Sequence, residues 1–202
     1  VNDSVDDDQQ TSTITVSVSN SNDSKYGSGI SNQSVTATTT DDDTAAFTVT
    51  ESGGSTIVDE SGGNDSIVIV LGSEPTGDVV FSLTANDSTE ATIAPSTLTF
   101  TTSNWNSAQI ATVTGVDDNL DDDNVSNTVI VAVNQNNTAD TKYDALDNQS
   151  VTVTTTDNDS APKVTLLSSS SSFAENNGTT VLTAALDTAA TSDITVALFL
   201  SG

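Results

Sequence analysis

The sequence predicts an all-β fold, an antiparallel β-sandwich of about seven strands, set in tandem repeats. Three observations predict it. Short runs rich in Val, Ile and Thr, separated by Gly, Asn, Asp and Ser, have the composition and spacing of strands. No stretch carries a sustained helical period. Finally, Asn32-Gln33-Ser34-Val35-Thr36-Ala37-Thr38-Thr39-Thr40-Asp41-Asp42-Asp43 returns as Asn148-Gln149-Ser150-Val151-Thr152-Val153-Thr154-Thr155-Thr156-Asp157-Asn158-Asp159, a shift of 148 − 32 = 116 residues.

Other landmarks keep that period to within one residue. Val1-Asn2-Asp3 with Asp6-Asp7-Asp8 matches Val116-Asp117-Asp118 with Asp121-Asp122-Asp123, Tyr26 matches Tyr143, and Glu60 and Gly63 return as Glu175 and Gly178. The chain thus divides into the C-terminal half of one unit (1–43), a complete unit (44–159) and the N-terminal half of a third (160–202). Neither flanking half can close a core alone, because each lacks about half its strands and exposes an open edge. It starts at Val1, without an initiator methionine, and so reads as a piece of something longer.

In the complete unit the expected strands are 45–50, a short kinked piece at 55–58, then 66–71, 78–84, 97–102, 109–116, 126–133 and 149–156. The first, AAFTVT, opens the unit. SIVIVL and DVVFSLT are β-branched and bounded by Gly. TLTFTT precedes Asn104-Trp105, and QIATVTGV alternates Ile110, Thr112 and Thr114 with Ala111 and Val113. SNTVIVAV and QSVTVTTT close the unit.

Composition narrows the function. The chain has 202 residues, 29 acidic side chains against 3 lysines, no arginine and a net charge of −26. This argues against nucleic acid, whose phosphates require a basic footprint, and against charge-driven adhesion to anionic lipid. Cysteine, methionine and histidine are absent, which removes disulfides, thiolate sites and imidazole chemistry and leaves hard oxygen ligands. No run approaches the roughly 20 apolar residues that span a bilayer, so no membrane insertion is expected in this segment. Abundant Ser, Thr, Asn and Asp with little lysine suits an extracellular surface.

The strand at 109–116 runs into five aspartates within seven residues, Asp117, Asp118, Asp121, Asp122 and Asp123. Two unit charges about 4 Å apart repel by roughly 4 kcal/mol at an effective dielectric near 20, so such a loop splays, takes protons or binds a cation. Calcium, with its six to eight oxygen ligands, suits the cluster. A solvated charge run is the plainer alternative, but the cluster follows a strand end, and a sandwich brings Asp157 to Asp159 to the same pole. An EF-hand is excluded: the loop position that needs glycine is Asp122, and the position that needs glutamate is Thr128.

The ordered motifs Val58-x-Glu60-x-x-Gly63, Ser96-Thr97-Leu98-Thr99-Phe100-Thr101 before Asn104-Trp105, Gln109-x-x-Thr112-Val113-Thr114-Gly115-Val116-Asp117-Asp118 and Val151-x-Val153-x-x-x-Asp157-Asn158-Asp159 resemble the Calx-beta repeat. The form with Asn-Trp and Asp-Asn-Asp is similar to tandem repeats of large bacterial surface proteins and adhesins. The resemblance implies an Ig-like seven-stranded sandwich with Ca2+ at one end, beside the next domain. It implies as ligands Glu60, Asp87, Asp117, Asp118, Asp122, Asp157, Asn158 and Asp159. Asn158 stands where some relatives carry a third aspartate, and its amide oxygen still coordinates at lower charge. In the first unit Asn2 replaces the aspartate matching Asp117, and the glutamate is missing.

Other features read as structural. Trp105 is expected to cap one end of the core, with Tyr26 and Tyr143 in similar work. Lys25 and Lys142, equivalent positions, are expected to be solvated rather than joined in an isopeptide bond. Thr152, Thr154 and Thr156 form too short a ladder for an ice-binding array, and Asn-x-Ser triplets such as Asn86-Asp87-Ser88 are compositional. No isolated carboxylate pair suggests catalysis, so no enzyme is expected. The expected role is a calcium-stiffened stretch of an extracellular fibre or adhesin stalk, whose partners are the adjacent repeats. The alternatives are a calcium-sensing regulatory module and lateral self-association into a filament or sheath.

Overall fold

The computed structural model describes residues 2–27, 30–172, 174–187 and 192–199. Val1, which the repeat equates with Val116, lies outside the described residues. Strands run β1 (Gln10–Val16), β2 (Gln33–Thr39), β3 (Phe47–Glu51), β4 (Thr56–Asp59), β5 (Asn64–Leu71), β6 (Val79–Ala85), β7 (Ala91–Ala94), β8 (Thr97–Phe100), β9 (Gln109–Gly115), β10 (Val125–Val133), β11 (Gln149–Thr156), β12 (Val164–Ser168) and β13 (Leu182–Leu186). One short helix, α1 (Thr141–Asp144), precedes β11. The all-β expectation holds.

Residues 44–159 form a sandwich of two sheets, β3-β5-β9-β7 and β4-β11-β10-β6-β8. Alternation places Ile67, Ile69 and Leu71 of β5, Ala111 and Val113 of β9, and Val129, Val131 and Val133 of β10 between the sheets. Phe81 sits at the centre. Its ring lies 4.7 Å from Phe47 and 5.9 Å, edge to face, from Phe100. Trp105 packs, half-buried, against the edge of this core as expected.

Two details differ from the expectation of seven antiparallel strands. The unit has nine strand segments, and β4 pairs parallel to β11. The opening strand is cut in two by Gly53 and Gly54, whose φ values of 68° and 85° favour glycine. The break carries the chain from one sheet to the other, so β3 pairs with β5 while β4 joins β11. The ninth segment, β7, has only four residues, too few for a polarity pattern to announce it. Helix α1 was also unexpected. Asp140 caps it by accepting hydrogen bonds from the Lys142 and Tyr143 backbone N–H groups.

The flanks form two separate hairpins, β1-β2 and β12-β13, with every strand residue exposed. Among the described residues, the buried hydrophobic core lies wholly between Ala45 and Val153. Tyr143 is buried and its hydroxyl donates to the Ser73 carbonyl (2.7 Å), whereas its counterpart Tyr26 is 59% exposed. The hairpin that carries Tyr26 is exposed along both strands and offers that ring nothing to pack on. Among the described residues no helix is long and apolar enough to cross a membrane.

Candidate metal centre

One pole of the sandwich collects the ends of β4, β9 and β11 and the start of β10. Gly115 lets them converge: a Cβ there would overlap the Asp59 carbonyl, and the Gly115 N–H donates to Gly63 at 2.9 Å. The chain then leaves β9 through Asp117 to Asp123 and re-enters the sheet at Val125, opposite Thr155 of β11.

Glu60 follows β4 and is 2% exposed. The Glu60 N–H donates to the Thr156 carbonyl at 3.2 Å, which fixes the residue against the end of β11. Oxygens of Glu60, Asp157 and Asp159 lie within 4.8 Å of one another. The Asp157 carboxylate organises the turn: it accepts from Asp159 N–H at 2.7 Å and from Asp123 N–H at 3.0 Å. Asn158 N–H donates to Glu60 at 3.4 Å, and its side-chain amide donates to Asp117 at 3.1 Å. Asp118 is half-buried and accepts from Leu120 N–H, while Asp122 is exposed.

The sequence reading missed Glu90. It lies between β6 and β7, is 7% exposed, and one of its carboxylate oxygens is buried without a hydrogen-bond partner. Its carbonyl accepts from Val116 N–H at 2.9 Å and from the Thr155 hydroxyl at 3.4 Å, tying the loop to β9 and β11. Asp87, which the sequence put forward from this loop, spends an oxygen on Thr89: the backbone N–H donates at 3.0 Å and the hydroxyl at 2.6 Å. These bonds hold the Asp87 carboxyl below its ordinary range.

At this pole three carboxyls are held above their ordinary range. Burial raises Glu60 first, then the charges of Asp157, Asp118 and Asp122, against one opposing hydrogen bond from Asn158 N–H. Burial likewise raises Glu90, followed by Asp122, Asp87, Glu60 and Asp118. Asp159 is raised by burial and by Asp157, Asp117, Asp118 and Asp121, and one of its oxygens is also buried without a partner. The ion pairs among the described residues both involve Lys142, which lies elsewhere. The pole therefore holds hard, anionic oxygens in excess, with two of them unsatisfied. That donor set fits a hard divalent cation.

The preceding unit has the same wiring. Asp41 accepts from Asp43 and Asp8 N–H groups as Asp157 accepts from Asp159 and Asp123, and Asp8 and Asp123 share positive φ values of 62° and 63°. Asp41, Asp42 and Asp43 form a second carboxylate cluster, without a buried glutamate.

No family model matches the chain, and no curated protein matches its sequence. Solved structures give distant likenesses. The MSP-domain protein SSP-19 of Caenorhabditis elegans is 14% identical, with 54% of this chain and 99% of that one covered and a TM-score of 0.38. The E. coli chaperone DraB is 4% identical over 61% of this chain and 64% of that one, with a TM-score of 0.40. The surface-layer protein SbsC, over its domains 1–6, is 15% identical with a TM-score of 0.37, and this chain (87% covered) spans 25% of that structure.

Proposed function

We propose that the chain is a calcium-binding structural segment of a long extracellular surface fibre or adhesin stalk of the Calx-beta type, in which calcium stiffens the pole between successive repeats. The observation that carries the reading is the pair of buried glutamates, Glu60 and Glu90, with one Glu90 oxygen buried and unpartnered and with the charges of Asp122, Asp87, Glu60 and Asp118 opposing its ionisation. Burying like charges together is unfavourable unless a cation or a proton joins them. Glu60, Glu90, Asp118, Asp122, Asp157 and Asp159 would hold the ion, with Asp117 and Asn158 at the rim. The carboxylates act as ligands on this reading, and the unit performs no catalysis. Extracellular modules bind calcium at about 10⁻⁴ to 10⁻³ M, so millimolar calcium orders such a pole.

A ligand of the folded form alone stabilises by RT ln(1 + [L]/Kd), about 2.7 kcal/mol at a hundredfold excess. Thermal unfolding of the full chain should therefore shift upward in millimolar calcium relative to chelator, and less in magnesium. Asp157→Ala should remove most of the shift, while Asp7→Ala, in the preceding unit, should leave it. An unchanged midpoint in calcium would overturn the proposal.

A further inference from the structure

The opposite pole carries the chain's other charge anomaly. With 3 lysines against 29 acidic residues, the sequence still spends two lysines on one repeat position, Lys25 and Lys142. Lys142 keeps 37% of its side chain exposed and is also ion-paired, which the sequence did not suggest. Its Nζ lies 2.6 Å from Asp8 and 3.3 Å from Asp6, both in the acidic loop of the preceding unit. One exposed ion pair holds two bodies weakly, but this one is accompanied by backbone contacts. Asp6 also accepts from Ala45 N–H (2.8 Å), Glu74 N–H donates to the Ser4 carbonyl (2.6 Å), and Val5 forms a parallel bridge with Glu74. The other side of the loop is tied to its own unit, since Asp7 and Asp8 N–H groups donate to Asp41. The loop is a staple between two units.

We propose that residues 4–8 and the corner formed by Ala45, Ser73–Glu74 and Lys142 are a lysine-keyed lock between successive units, in which the acidic loop of one repeat docks the lysine-bearing pole of the next. The repeat register extends the assignment. Asp121 and Asp123 stand where Asp6 and Asp8 stand (121 − 6 = 115; 123 − 8 = 115), and Asp123 has the backbone conformation and hydrogen bond of Asp8. On that register Asp121 and Asp123 would meet the lysine of a following unit. Lys25 makes no ion pair among the described residues.

The lock is tested on the full chain in chelator, so that the calcium reading does not enter. A zero-length carbodiimide, which joins an amine only to a carboxylate in contact, should couple Lys142 to Asp6 or Asp8, located by peptide mass. Hydrogen exchange at the Ala45 and Glu74 amides should be slow, and Lys142→Gln should speed it severalfold. Asp8→Asn should reproduce that loosening from the other side, and Lys25→Gln should not. Coupling spread evenly over the three lysines would overturn the proposal, as would unchanged exchange in Lys142→Gln. Loosening by Lys142→Gln alone, with Asp8→Asn silent, would overturn it too, because the effect would then be local to α1.

Discussion

Glu60 and Glu90 show what a single residue does at this pole and how unequally the two were legible. Glu60 could be found because it sits in an ordered motif with Gly63 and recurs at Glu175. Glu90 stands alone in the sequence. Its burial exists only once Val116 N–H and the Thr155 hydroxyl have folded its loop onto two distant strands. Both carboxyls, with Asp159, are raised in the folded state, mainly by burial. The sign follows: a raised acid contributes stability that is present below its unfolded value and is lost as pH rises through the folded one. Asp59, Asp87 and Asp140 are lowered in the fold, and their contribution disappears as pH falls through their depressed values. In chelator, stability should therefore rise on acidification from neutral pH and fall again below the ordinary carboxylate range. Glu90→Gln should flatten the first limb, raise the neutral-pH midpoint in chelator and shrink the calcium shift. A variant less stable in chelator with an intact calcium shift would remove Glu90 from the site.

At the scale of elements, the long strands were readable because burial on one face imposes alternation, as in β9 and β10. The departures were short. The parallel pairing of β4 with β11, the four residues of β7 and the four residues of α1 are each set by a local device or a distant partner rather than by period. Gly115 joins element to site. It ends β9 against the Asp59 carbonyl, and the acidic loop begins two residues later. Gly115→Ala should force β9 away from β4 at a cost of about 1–3 kcal/mol, the range for overpacking a tight contact. Because the same displacement moves Asp117 and Asp118 away from Glu60, the calcium-induced shift should fall with the stability. Chemical denaturation with and without calcium separates the two. Gly77→Ala would meet the Ala139 Cβ at 2.9 Å on the lysine-bearing side, and its calcium shift should match that of the parent.

For the whole molecule, the internal recurrence was plain in the sequence, but the form its flanks take beside the central sandwich was only half legible. The two halves were expected to lack a closed core. In the structure they still form hairpins by pairing backbone groups, with Ile14, Val16, Val35, Leu166, Leu167 and Leu182 left in solvent. A two-stranded hairpin is marginal in water by itself, while among the described residues 45–153 enclose the buried hydrophobic core. Stability along the chain is therefore uneven, and local opening should concentrate in the hairpins. Brief digestion of the native chain with a protease that cuts beside aliphatic residues should cleave first around β1-β2 and β12-β13. A resistant fragment close to 44–159 should remain, identified by its mass. Residues 4–8 test the coupling between units: if the lysine lock holds them, the surviving fragment should keep them in part, and Lys142→Gln should shift its N-terminal boundary toward Ala45. Early cleavage inside β9 or β10 would show that the core gives no such protection.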